Sequence, residues 1–180
     1  MALIISIISL IISSLTFWLT KIKKGKLKMT RPSIICLLGQ NGRDEGKVFI
    51  RTLLYSDSEQ GQYVQNMFIR ISKHGESQDF DTWAYGDKEL MRGSGLFVSK
   101  VGISLNHHFL LPKINNWKFS RGEYYIEVFA EIVGKSPKVI FEHTLFLAGD
   151  HAESLYQGNS IYYEWQHNYG KYINRIETMV

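Results

Sequence analysis

The chain has 180 residues, with 21 Lys/Arg against 17 Asp/Glu and a formal net charge of +4. The balance is uneven: residues 1–31 hold six basic residues and no acid, which leaves 15 basic against 17 acidic in 32–180, a net charge of about −2. A domain of that charge lacks the broad positive surface of a nucleic-acid binder, and a single cysteine, Cys36, leaves no internal disulfide to make.

Residues 1–20 carry no charged side chain and end at a run of lysines. At about 1.5 Å per residue, such a stretch as a helix matches a bilayer core of roughly 30 Å. A cleaved signal peptide is the rival reading. It wants a basic n-region, a short apolar core and a small-x-small cleavage site, and neither flank here supplies them. We therefore expect an uncleaved transmembrane anchor over 1–20, with Trp18 as an interfacial aromatic. Lys21, Lys23, Lys24, Lys26, Lys28 and Arg31 all lie on the C-terminal flank. The positive-inside rule then puts the C-terminal domain on the cytoplasmic side of a single-pass membrane protein. The same lysines attract anionic lipid headgroups at about 1 kcal/mol each. Translation from Met29 would instead give a soluble product.

Within the span, Ala2, Ser6, Ser9, Ser13, Thr16 and Thr20 follow a 4-3-4-3-4 spacing and line one helix face. Small residues let helix backbones approach, and hydroxyls bond across the contact, so self-association or docking on another membrane helix is one reading. The other is that each hydroxyl bonds back to its own helix.

Residues 21–31 read as a basic juxtamembrane linker and 32–180 as one domain of ordinary size. Short β-branched and aromatic runs recur between Gly, Asn, Asp and Ser clusters, and no long stretch has helical periodicity. Candidate strands cover 33–38, 47–55, 63–72, 79–85, 95–99, 105–111, 123–133, 138–147 and 160–166. Residues 48–54 are apolar nearly throughout, which predicts a central strand. In the run from Tyr124, residues Ile126, Val128, Ala130 and Ile132 share one face with it, while Tyr125, Glu127, Phe129 and Glu131 share the other. The next run places Val139, Phe141, His143, Leu145 and Leu147 together, opposite Lys138, Glu142 and Thr144. One buried and one wet face is the pattern of an antiparallel sheet. Eight or nine such strands predict an all-β, two-sheet antiparallel β-sandwich.

Phe119-Ser-Arg-Gly-Glu-Tyr-Tyr-Ile-Glu-Val128 and the strand after it, to Leu147, resemble the late strands of immunoglobulin-like and fibronectin-type sandwiches. The resemblance implies that Tyr124 is a corner tyrosine whose hydroxyl bonds back to nearby backbone. The Cys…Trp…Cys pattern of antibody domains is absent.

No motif carries chemistry. Gly39 to Val48 imitates a phosphate loop, but Asn41 replaces the first glycine, Val48 replaces the hydroxyl residue and a strand follows. Arg92-Gly-Ser-Gly lacks the first glycine of a nucleophile elbow, so Ser94 is not read as catalytic. His107 and His108 point to opposite faces of a strand and cannot share a metal. His107 and His143 sit on apolar faces, as core histidines do. If their strands were neighbours, His107 and His143 with Asp79 or Asp81 would form a metal site. Tyr125 and Phe129, facing outward, are candidates for a protein partner, unless the segment 165–176 packs over them.

The sequence thus yields an expectation and two alternatives. The expectation is a membrane-anchored sandwich that binds protein or organises an assembly, without catalytic residues, cofactor or metal. The alternatives are a small membrane-tethered metal-dependent enzyme and a lipid- or carbohydrate-binding module.

Overall fold

The computed structural model describes residues 1–23, 25–39, 46–87, 89–93, 95–112 and 117–177. Lys24, residues 40–45 and Ser94 lie outside them, and so do the readings that fall on those positions.

The chain opens with α1 (Ala2–Phe17), which runs on as a π-helical turn over Trp18–Ile22. Together they make one helix of 21 residues, with a mean hydropathy of 2.3 over an 18-residue window, long and apolar enough by length and composition to cross a membrane. None of its residues is buried against the rest of the chain. The strands follow in order. They are β1 (Leu27–Met29), β2 (Ile34–Leu38), β3 (Lys47–Ser56), β4 (Gln62–Lys73), β5 (Glu76–Phe80), β6 (Thr82–Tyr85) and β7 (Met91–Arg92). Next come β8 (Leu96–Val98), β9 (Ile103–Leu110), β10 (Gly122–Ile132) and β11 (Lys138–Leu147). A short helix, α2 (Gly149–Tyr156), precedes β12 (Ser160–Gln166) and β13 (Lys171–Glu177).

These strands form two antiparallel sheets. The first has the order β13-β12-β2-β3-β9-β6-β7, with β1 also on β3. The second has the order β11-β10-β4-β5, with β8 also on β4. β3 is central, as its apolar run predicts, yet its burial alternates: Val48, Ile50 and Leu54 are buried and Arg51 is exposed. One cluster of buried side chains draws on both sheets, with Ile35, Leu37, Ile50 and Phe109 from the first and Met67, Ile69, Ile126 and Val128 from the second. Each fully buried aliphatic side chain contributes about 1.5–3 kcal/mol by leaving water.

Four departures from the predicted elements have local causes. The run 79–85 is two strands in different sheets, joined through Asp81. Phe80 and Trp83 are both buried; three residues apart, they point to opposite faces of any continuous strand, so the chain crosses between sheets to bury both. The stretch 21–31, read as a linker, contains β1. Leu27 turns inward while Lys26 and Lys28 stay exposed, a period of two inside a basic run. In β11 the register shifts opposite Val128 and Phe129, so that Val139 pairs with outward-facing Phe129 and is 40% exposed. A bulge of this kind inserts one residue and reverses the faces beyond it. The segment beyond Trp165 forms β13, which pairs with β12 at the edge of the first sheet and does not cover β10.

The β4–β5 hairpin turns on His74 (φ 50°) and Gly75 (φ 86°). Two positive φ values are what a two-residue hairpin turn requires.

Candidate functional site

Of the interfacial lysines, Lys21 lies in the last helical turn and Lys23 just beyond it, while Lys26 precedes β1 and Lys28 is its middle residue, both with exposed side chains. The helix end is clasped to the domain. Gln60 donates its side-chain amide to the Lys21 carbonyl, Gln62 donates to the Gly25 carbonyl (3.2 Å), and the Lys26 backbone N–H donates to Asp57 Oδ1 (2.5 Å). Trp18 is 47% exposed. In the stripe of small residues, Ser6 Oγ donates to the Ala2 carbonyl (3.0 Å) and Thr20 Oγ1 to the Thr16 carbonyl (2.8 Å). Those two hydroxyls are satisfied within their own helix. Ser9 and Ser13 line the same face, exposed.

The four residues of the metal reading are not brought together. His107 lies on β9 in the first sheet and His143 on β11 in the second. Asp79 pairs with Arg70 (Arg70 Nε to Oδ1, 2.7 Å), and Asp81 is exposed at the crossing between sheets. Among the described residues no group of three His, Cys, Asp or Glu is placed to hold a metal ion. His107 is instead a core histidine, 1% exposed, whose Nδ1 accepts a hydrogen bond from Trp83 Nε1–H (3.2 Å). Burial, then the neighbouring His108, pull its pKa down to about 4, so the ring is neutral. His143 stacks on Phe141 and meets Tyr172 edge-on at 5.0 Å; burial and then Arg31 lower its pKa.

On the outer face of the first sheet, Cys36, Lys47, His108, Tyr162 and Glu177 line a hollow of 310 Å³ that no motif announces. Each comes from a different strand, β2, β3, β9, β12 and β13, so only the register brings them together. Burial pushes the Cys36 thiol up to about 12 and lowers the Lys47 amine. Burial, then Lys47, pull His108 down to about 4. Neither His108 ring nitrogen has a hydrogen-bond partner of normal geometry, while the nearby Gly86 backbone favours the charged ring. A protonated thiol is a poor nucleophile, so the hollow holds no thiolate chemistry at neutral pH.

The outward aromatics predicted on β10 are present. Phe129 stacks on Phe68 of β4 with centroids 4.6 Å apart and planes 3° from parallel, and the Arg70 guanidinium lies 5.3 Å from the Phe129 ring. Tyr125 is 40% exposed and donates its hydroxyl to Glu142 Oε2 (2.6 Å). Tyr63 and Phe97 form a second exposed pair on the same sheet at 4.9 Å. A row of Glu142, Glu127, Arg70 and Asp79 crosses the four strands beside Phe129. At the start of β10 the Tyr124 hydroxyl donates to the Ser120 carbonyl and accepts from the Ser120 N–H, both at 2.7 Å. This is the back-bond that the Gly-x-Tyr turn implied.

No family model and no curated protein matches the chain. Among solved structures, it is similar to Spo0M, a sporulation control protein from Bacillus subtilis, at 10% identity and a TM-score of 0.36. That likeness covers 88% of this chain and 76% of Spo0M. It is also similar to a GH3 β-glucosidase from Bifidobacterium adolescentis, at 16% identity and a TM-score of 0.31, over 70% of this chain and 18% of the glucosidase. At these values the likeness says nothing about activity.

Proposed function

We propose that this chain is a single-span membrane protein whose cytoplasmic β-sandwich binds another protein at the membrane surface. The anchor is supported by α1 and its π-helical extension: a largely apolar helix of 21 residues, none of them buried against the rest of the chain, is the length a bilayer core accepts. The orientation is supported by the lysines on its C-terminal flank.

The binding role is carried by the outer face of the second sheet. Phe68, Phe129 and Tyr125 are left without cover by the segment that the sequence offered for the purpose. Aromatic rings held rigid by stacking and hydrogen bonding give contact area at low entropic cost. The carboxylates of Glu127, Glu142 and Asp79 around them favour a partner with an apolar centre and a basic rim.

The test uses the full-length protein in its membrane, with a photo-crosslinking residue in place of Tyr125. Discrete adducts are expected, and Phe68→Ser with Phe129→Ser should abolish them. No adduct, together with a monomer in mild detergent, would overturn the reading. A reporter fused after residue 180 tests the side: it should read cytoplasmic, and flip when Lys21, Lys23 and Lys24 are neutralised.

A further inference from the structure

Where the helix joins the domain, a hollow of 260 Å³ opens between β1 and the β10–β11 hairpin. Four lysines line it, Lys26 and Lys28 from one segment and Lys135 and Lys138 from another more than a hundred residues later. No carboxylate lines it. All four side chains are exposed, and among the described residues none of them is in an ion pair. Residues 32–180 carry a net charge of about −2, so Lys135 and Lys138 are a local excess there, and they meet the basic stretch that holds Lys26 and Lys28.

The floor of the hollow is apolar, made by Leu27, Ala130, Ile132 and Ile140. Its position is fixed by the same bonds that clasp the helix end. Gln62, whose amide holds the Gly25 carbonyl, lines the hollow, and the Val133 N–H donates to the Tyr63 carbonyl (3.0 Å), which ties the hairpin tip to the start of β4. The hollow therefore begins within a few residues of the end of the apolar helix. Beside it, Val133 and Val139 stand 60% and 40% exposed, apolar side chains next to the lysine pair.

Building on the anchor reading above, we propose that this hollow seats the phosphate-bearing headgroup of an anionic phospholipid from the membrane that α1 enters. The four ammonium groups supply charge and donors to the phosphate. The apolar floor and the two valines meet the glycerol and the first acyl carbons. The sequence shows only the lysines from Lys21 to Lys28 as lipid contacts. Lys135 and Lys138 join them because β11 returns beside β1.

The experiment is hydrogen exchange on the full-length protein in nanodiscs, either of phosphatidylcholine alone or containing phosphatidylglycerol. Segments 25–29 and 132–140 should exchange more slowly in the anionic discs, while the core strands exchange equally in both. Lys135→Gln with Lys138→Gln, both exposed and neutral to folding, should weaken that protection about 25-fold, or about fivefold per lysine. Equal exchange in the two discs would overturn the headgroup seat while leaving the anchor in place, provided that the protein resists alkaline carbonate extraction. Release by carbonate would overturn the anchor reading and this proposal with it. Equal protection by inorganic phosphate in phosphatidylcholine discs would overturn the assignment to lipid.

Discussion

Acid should destabilise this domain in part through His107. Its ring is 1% exposed and held by Trp83, and its folded pKa is about 4, against about 6.5 in an unfolded chain. A histidine with a lowered folded pKa binds its proton more readily when unfolded. Its contribution is therefore complete above about pH 6.5 and is lost as pH falls toward 4. Between pH 7.5 and pH 5 this amounts to about 2 kcal/mol for the one group. Protonation also puts a second donor against Trp83 Nε1–H, since Nδ1 is the acceptor in that bond. His107→Gln removes the titration and leaves a side-chain oxygen able to accept from Trp83. Urea titrations of the full-length protein in mild detergent, followed by tryptophan fluorescence at both pH values, give the comparison. The unmutated chain should lose about 2 kcal/mol more than the variant on acidification, with His108 cancelling because it is present in both. Equal losses would refute the argument.

Four further outcomes follow from the packing. Cys36, 1% exposed and with its thiol pushed up to about 12, should resist a thiol reagent at pH 8 in the folded protein and react fully in urea; fast native labelling would mean that β2 and β12 separate. Tyr124→Phe removes both bonds to the Ser120 backbone and should cost about 1 kcal/mol in the urea midpoint. Gly39→Ala would put a Cβ 1.8 Å from the Leu155 carbonyl oxygen, backbone that moves only with α2, at a cost of about 1–3 kcal/mol. Gly149→Ala meets nothing closer than Arg121 Cδ at 3.7 Å and should change the midpoint little.

Much of the sheet architecture is legible because strand periodicity is written into single stretches of chain. The alternation from Tyr124 to Ile132 gives β10 and its buried face directly, and the limits of β11 and β12 coincide with their apolar runs. What escapes is set by neighbours distant in sequence. β1 is three residues long in a basic stretch, and it is a strand only because β3 offers Leu54, Tyr55 and Ser56 to pair with. α2 is eight residues with a buried side formed by Ala152 and Leu155, too short to show a period. The bulge opposite Val128 and Phe129 has no mark in the sequence of β11, and it turns Val139 outward. The outward aromatics could be found from alternation alone. Neither hollow could, because five strands build one, and the other joins residues 25–28 to Gln62 and to residues 130–140, far apart in the chain.

The short strand β1 also decides how the domain would bear mechanical tension. With α1 fixed in a bilayer and the domain held by a partner, a pull enters through residues 21–26 and travels along β1. Gln60 and Gln62 each hold this segment by one side-chain bond, and Asp57 holds Lys26 by two, one from its side chain and one from its backbone. β1 itself lies antiparallel on β3 with its hydrogen bonds perpendicular to the strand, so a pull directed along β1 would load them in shear, all together, rather than open them one after another. Force arriving from the membrane is thereby delivered to β3, the central strand of the first sheet, and not to a frayed edge.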